Sequence, residues 1–206
     1  MDRPGVAFPD GFFARADERP DAEFYAPLRL VTHIDDAAIA EVGRLYTELG
    51  IDGDVLDLMS SWVSHFERPP ARLTALGMNP TELARNADAT EWVVHDLNAD
   101  GRLPFEDARF DAVTCCASVD YLVHPVEVFT DVARVLRPGG LFAVTFSNRC
   151  FPTKAVRGWL VNGDSGRLAI VSAYFDSSGR FGQPTATHRN PGSPGDPLYA
   201  VWAARG

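Results

Sequence analysis

Five short apolar runs in this sequence are each followed by polar residues of the types that bind or turn over a small molecule. Asp57 lies inside the run Asp54-Val-Leu-Asp-Leu-Met59, and Ser60-Ser61-Trp62 comes next. Gly77-Met78-Asn79-Pro80 follows Arg72-Leu-Thr-Ala-Leu76, and Asp96-Leu97-Asn98 follows Glu91-Trp-Val-Val-His95. Ala117-Ser118-Val119-Asp120-Tyr121 follows Phe110-Asp-Ala-Val-Thr-Cys-Cys116, and Ser147-Asn148-Arg149 follows Leu141-Phe-Ala-Val-Thr-Phe146. Carboxylates accept hydrogen bonds from hydroxyls and amines, asparagine both donates and accepts, and arginine grips an anion in bidentate fashion. Arg149 is thus a candidate for an anionic ligand, with a surface ion pair as the plainer use. His33 is the one histidine placed to act as a base. His65, His95, His124 and His188 read as structural or solvated. No spacing of Cys, His and carboxylates matches a metal site.

These residues need a scaffold that brings run ends together. The runs read as buried strands, and helical patterns alternate with them. Asp35-Asp36 opens a helix that continues through Ala38, Ile39, Val42, Leu45, Tyr46 and Leu49 and stops at Gly50. A short helix is expected about 61–67, closed by Pro69-Pro70, and another from Pro80 to about Asn86. Val126 to Leu136 carries an apolar stripe, and Arg137-Pro-Gly-Gly140 is a stop and a turn. Such alternation points to a mostly parallel sheet with helices on both faces, which places the polar run ends along one edge. Helices about 153–161 and 165–177 come next. Strands near 183–189 and 198–203, joined by a Pro/Gly loop, are expected to add an antiparallel hairpin. The first 34 residues hold Pro4, Pro9, Pro20 and Pro27 among five aromatics, so they read as an irregular arm lying on the rest.

Composition limits the partners. The 206 residues carry 19 basic and 28 acidic side chains, a net charge of −9, which disfavours nucleic acid. No window approaches the roughly 18 apolar residues of a membrane span. Neither an apolar leader nor paired cysteines are seen, so a cytoplasmic protein with free thiols is expected, as a monomer or homodimer. Cys115 and Cys116 are expected on opposite faces of their strand.

Taken in order, Val55-Leu-Asp-Leu58, Leu103-Pro-Phe105, Phe110-Asp-Ala-Val113 and Leu136-Arg-Pro-Gly-Gly140 resemble the motifs of the class I S-adenosylmethionine-dependent methyltransferases. The resemblance runs from about Gly53 to Phe146. It implies a Rossmann-like, doubly wound, mostly parallel seven-stranded sheet with a C-terminal antiparallel hairpin. Residues 35–150 would be the cofactor-binding core, 1–34 an arm or lid, and 151–206 the C-terminal helices and hairpin, all in one domain. It implies S-adenosyl-L-methionine as cofactor, and the acidic composition and compact C-terminal hairpin favour a small-molecule acceptor. Asp57 would orient the cofactor's amino end, Asp96 and Leu97 would meet adenine, and Tyr25 in the arm would close over the site. Met59, Ser60, Ser61, Met78, Asn79 and Ser118 would complete the cofactor site, with His33, Asp120, Tyr121 and Arg149 as candidates toward the acceptor. Two positions depart from the family. The loop after the first strand has no glycine, so it is expected to take another path. Asn79 stands where an acid usually holds the ribose hydroxyls. A binding protein on the same fold is the alternative these departures keep open. A nicotinamide enzyme is disfavoured, since it needs GxGxxG after the first strand.

Overall fold

A computed structural model describes residues 7–206. Pro4 of the expected arm therefore lies outside the described residues. In chain order the elements are α1 (Asp21–Tyr25), α2 (Asp36–Glu48), β1 (Asp54–Leu58), β2 (Arg72–Gly77), α3 (Pro80–Leu83) and β3 (Glu91–Val94). They continue with β4 (Phe110–Cys116), a 3-10 turn (Val119–Tyr121), α4 (Pro125–Val135), β5 (Leu136–Phe146), α5 (Arg157–Leu160), α6 (Asp164–Ser178), β6 (Thr185–His188) and β7 (Tyr199–Ala204).

The seven strands form one sheet in the order β3-β2-β1-β4-β5-β7-β6. The first five are parallel, and β7 runs antiparallel to both β5 and β6. This is the doubly wound sheet with an antiparallel C-terminal pair that the sequence implies. The chain order reverses direction between β1 and β4, so the carboxyl ends of these two strands flank a natural crevice.

Strand burial explains the apolar runs. Val55, Leu56, Leu73, Leu76 and Val113 are fully buried because helices or loops cover both faces. On one face α4 and α6 pack Phe129, Tyr174 and Phe175 against Phe142. The other face is held by α2 through Ala38, Val42 and Tyr46. Cys115 joins the first core and Cys116 packs on the second, so the paired thiols do point to opposite faces. The α2 start matches its sequence signal: the Asp35 carboxylate accepts from Ala38 N at 2.9 Å.

Four expectations need correction, one of them the helix about 153–161, of which only Arg157–Leu160 forms. No helix forms at 61–67, where the chain is irregular between β1 and β2. Its serines bond elsewhere: Ser60 and Ser64 to Asp57, and Ser61 to Glu82. Serine side chains that find such partners compete with helix formation. The helix at Pro80 lasts one turn and ends at Leu83 rather than Asn86. Arg137-Pro-Gly-Gly140 does not interrupt β5; it bulges within it, so that Phe110 pairs Leu136 and Ala112 pairs Leu141.

Candidate functional site

A cleft of about 130 Å³ opens at the carboxyl ends of β1, β2 and β4, with the arm lying across its mouth. Asp57, Met59, Ser60, Ser61, Met78, Asn79, Ser118, Tyr121, Tyr25 and His33 all line it. The structure thus gathers ten of the fourteen site residues expected from the sequence into one place.

Asp57 sits at its base, 6% exposed. Its Oδ2 accepts from Ser60 Oγ at 2.7 Å and Ser64 Oγ at 2.6 Å, and its Oδ1 accepts from Thr114 Oγ1 at 2.8 Å. Burial pushes its pKa up, and the three hydroxyls and the nearby His65 only partly offset this. Beside it the Tyr46 hydroxyl is buried with no hydrogen-bond partner, which leaves a polar group in the cleft wall unsatisfied.

The glycine-free loop resolves in an unexpected way. Met59 itself adopts the left-handed conformation, with φ of 53°, and Ala117 after β4 does the same at 52°. Ser60 N then donates to Leu76 O at 2.8 Å, which draws the segment onto β2. A Cβ on Gly77 would fall 2.1 Å from the Ser60 carbonyl oxygen. The glycine that close approach demands is therefore on the neighbouring strand, while a methionine makes the turn.

Asn79 is fully engaged by the protein. Its Oδ1 accepts from Thr81 N at 3.0 Å and Glu82 N at 3.3 Å, capping α3. Its Nδ2 donates to the carbonyls of Tyr25 at 3.0 Å and Ala26 at 3.2 Å. Glu82 continues the seam: it accepts from Arg29 N and from Ser61 Oγ, both at 2.7 Å. Trp62 Nε1 adds a bond to Val31 O at 3.2 Å. Residues 25–31 of the arm are thereby fastened to β2, α3 and the loop after β1.

The far end of the arm is fastened by charge. Asp21, 4% exposed, takes Arg15 Nη1 on both oxygens at 2.8 Å, Lys154 Nζ at 2.9 Å and Asn98 Nδ2 at 2.8 Å. Burial works against its charge, but these donors win and hold its pKa below the ordinary value. Lys154, the only lysine in the sequence, is fully buried and also donates to Arg19 O at 2.7 Å.

Four expected residues stay outside the cleft lining. Asp96 Oδ1 accepts from Asn98 N at 2.9 Å and Ala99 N at 3.3 Å in its own turn, and Leu97 is a core residue. His95 lines the cleft at that point. Arg149 is 65% exposed, 3.7 Å from Asp196, on the rim of an adjoining depression. Asp120 is buried behind the wall, its Oδ2 without a partner, and burial pushes its pKa up to about 8. Tyr121, next to it, faces the cleft, and its hydroxyl accepts from Phe151 N at 2.8 Å. His33 stands at the mouth, its ring 5.2 Å from that of Phe151. Sequence reasoning missed Tyr46, whose helical spacing reads as core, and Glu82, whose signal was the capping spacing from Asn79. Among the described residues no group of three or more His, Cys, Asp or Glu is arranged for a metal ion. Nor is any described helix long and apolar enough to cross a membrane.

Comparison with known proteins agrees with this geometry. The family described as "Methyltransferase domain" matches residues 57–144, somewhat less than half of the chain. A ubiquinone/menaquinone biosynthesis C-methyltransferase of Roseobacter denitrificans is 39% identical over 72 residues, 34% of this chain and 28% of that protein. The chain thus spans under a third of that curated relative's length. A protein from Pyrococcus horikoshii superposes with a TM-score of 0.59 at 17% identity, over 89% of this chain and 99% of the other. A 1,6-didemethyltoxoflavin-N1-methyltransferase of Burkholderia thailandensis, solved with S-adenosylhomocysteine, gives 0.58 at 19% identity, over 83% of this chain and 79% of the other. The resemblance to the class I S-adenosylmethionine-dependent methyltransferases, in motifs and in fold, is borne out.

Proposed function

We propose that this chain transfers a methyl group from S-adenosylmethionine to a small-molecule acceptor. The observation that carries the reading is the base of the cleft. A buried carboxylate framed by hydroxyls, Asp57, adjoins an unsatisfied hydroxyl, Tyr46, where β1 and β4 diverge. These groups suit the ammonium and carboxylate end of the cofactor. On the ribose side the fit is conditional, because Asn79 reaches a diol only by giving up Tyr25 O or Ala26 O.

When bound, S-adenosylmethionine supplies an electrophilic methyl group, and the chain's part is to hold, align and enclose. Asp57 and Tyr46 fix one end, Met59 and Met78 line the path, and residues 25–33 roof the cleft against water. The names of the sequence relatives and the net charge of −9 favour a small molecule over nucleic acid as acceptor. Calorimetry with S-adenosylmethionine and S-adenosylhomocysteine tests the reading. Heat of binding and a raised melting temperature are expected, and their absence with both compounds in folded protein would sink it.

A second reading, a binding protein on this fold without methyl transfer, is favoured by one observation: every hydrogen-bonding position of the Asn79 amide is already occupied. Release of labelled methyl groups to any acceptor by the purified protein would eliminate it.

A further inference from the structure

His33, Tyr121, Phe151 and Thr32 border both the cleft and the adjoining depression, which Asn148, Arg149 and Cys150 help to enclose. Their shared wall is aromatic. The Phe151 ring meets His33 nearly edge on at 5.2 Å and lies 6.0 Å from Tyr121, tilted by 32°. The guanidinium of Arg29 stands 4.6 Å from the Phe24 ring centre and 5.7 Å from that of Phe151, bringing a cation to the same edge. Among the described residues nothing hydrogen-bonds the His33 ring, so both nitrogens are available to a ligand. Tyr121 uses one lone pair on Phe151 N, which fixes its hydroxyl in the wall.

We infer that this wall is the acceptor site and takes a planar molecule with an acidic hydroxyl, a phenol or an enol, whose proton His33 removes while Tyr121 donates a hydrogen bond to its oxygen. The inference rests on the methyl-transfer reading above and names the acceptor class for it. In the step, the acceptor O–H bond breaks and its proton goes to a ring nitrogen of His33. The freed electron pair on oxygen forms the new bond to the methyl carbon. The methyl–sulfur bond breaks with its pair staying on sulfur, which leaves as a neutral thioether. Positive charge thus passes from the sulfonium to the imidazolium.

The surroundings suit each role. His33 faces Arg29 on the arm, Glu82 on α3, His65 on the segment after β1, and Arg149 across the depression. Desolvation is the main effect and lowers its pKa; Glu82 offsets part of this and Arg29 adds a smaller push downward, so the ring is neutral at neutral pH and able to accept a proton. Tyr121 moves the other way. Burial first, and then the charge of Asp120, raise its pKa, so it remains a donor and does not act as the base.

Para-nitrophenol tests this directly, since its phenolate is coloured and its phenol is not. The full chain, saturated with S-adenosylhomocysteine, is titrated with the probe at a pH just below the probe's own pKa. Wild type is expected to bind it and raise the phenolate band. His33→Gln should bind the probe without that rise, while remaining folded and still saturable with S-adenosylhomocysteine. Tyr121→Phe should weaken probe binding about tenfold, the worth of one hydrogen bond to a charged oxygen. A phenolate band that survives in His33→Gln overturns the inference. So does a wild type that binds S-adenosylhomocysteine but not the probe. A wild type that fails to bind S-adenosylhomocysteine overturns the methyl-transfer reading itself, which separates the two failures.

Discussion

Replacing Lys154 with methionine should loosen the arm, and the structure sets the size of the effect. The ammonium is wholly buried and bonds Asp21 Oδ1 at 2.9 Å, Arg19 O at 2.7 Å and Asp17 O at 3.2 Å. Breaking a buried ion pair by removing one partner costs about 3–5 kcal/mol, because the other charge stays buried. Here Asp21 keeps Arg15 on both oxygens and Asn98 on one, so the lower end of that range applies. A loss of roughly 3 kcal/mol corresponds to a fall of about 6–12 °C in melting temperature for a chain of this size. Part of it should show as local opening before global unfolding. The Asp17 amide, which donates to Thr153 O at 2.9 Å, and the Arg157 amide, which donates to Ala14 O at 2.8 Å, should exchange hydrogen faster in the variant. Calorimetry and hydrogen exchange read the two effects separately. A melting temperature within about 1 °C of wild type, with unchanged exchange at both amides, would show that the Asp21 network does not hold the arm.

Other expectations follow from the cleft. Asp57→Asn removes a buried charge but keeps an acceptor oxygen, so melting should change little while S-adenosylhomocysteine affinity falls about tenfold or more by calorimetry. Gly77→Ala would set a Cβ 2.1 Å from the Ser60 carbonyl oxygen, and the strain should cost about 2 kcal/mol in a urea titration. Asp120, with its folded pKa at about 8, gains a proton on folding relative to the unfolded chain. That stabilisation is complete below the ordinary carboxylate range and fades as pH climbs toward about 8, so Asp120→Asn should flatten the decline between about pH 5 and pH 8. Denaturation measured at both ends of that window checks the sign.

Much of the sheet was legible because its strands are buried on both faces and read as unbroken apolar runs. Val55 to Leu58 and Ala112 to Cys115 are such runs, and Gly53 and Pro125 punctuate them. What escaped depends on side chains that bond across the fold. Ser60, Ser61 and Ser64 look like tolerable helix residues until Asp57 and Glu82 are set beside them. Asp96 has the position of a ligand-binding acid but bonds within its own turn. The arm's aromatics showed that it lies on the rest of the chain, yet the attachment of Asp21 to Lys154 spans 133 residues and leaves no local pattern. Arg137-Pro-Gly-Gly140 was misread because a bulge and a turn use the same residues.

The left-handed Met59 has a consequence for the unfolded chain. A glycine there would relieve a backbone cost of roughly 1–2 kcal/mol in the folded state. The same glycine would widen the unfolded ensemble, which returns about 0.4–1 kcal/mol to the other side. The second effect offsets only part of the first, so a glycine-free first loop gives up roughly 1 kcal/mol while keeping the glycine-like turn. In exchange the cleft gains a polarisable thioether at Met59, beside the one that Met78 after β2 also contributes to its lining.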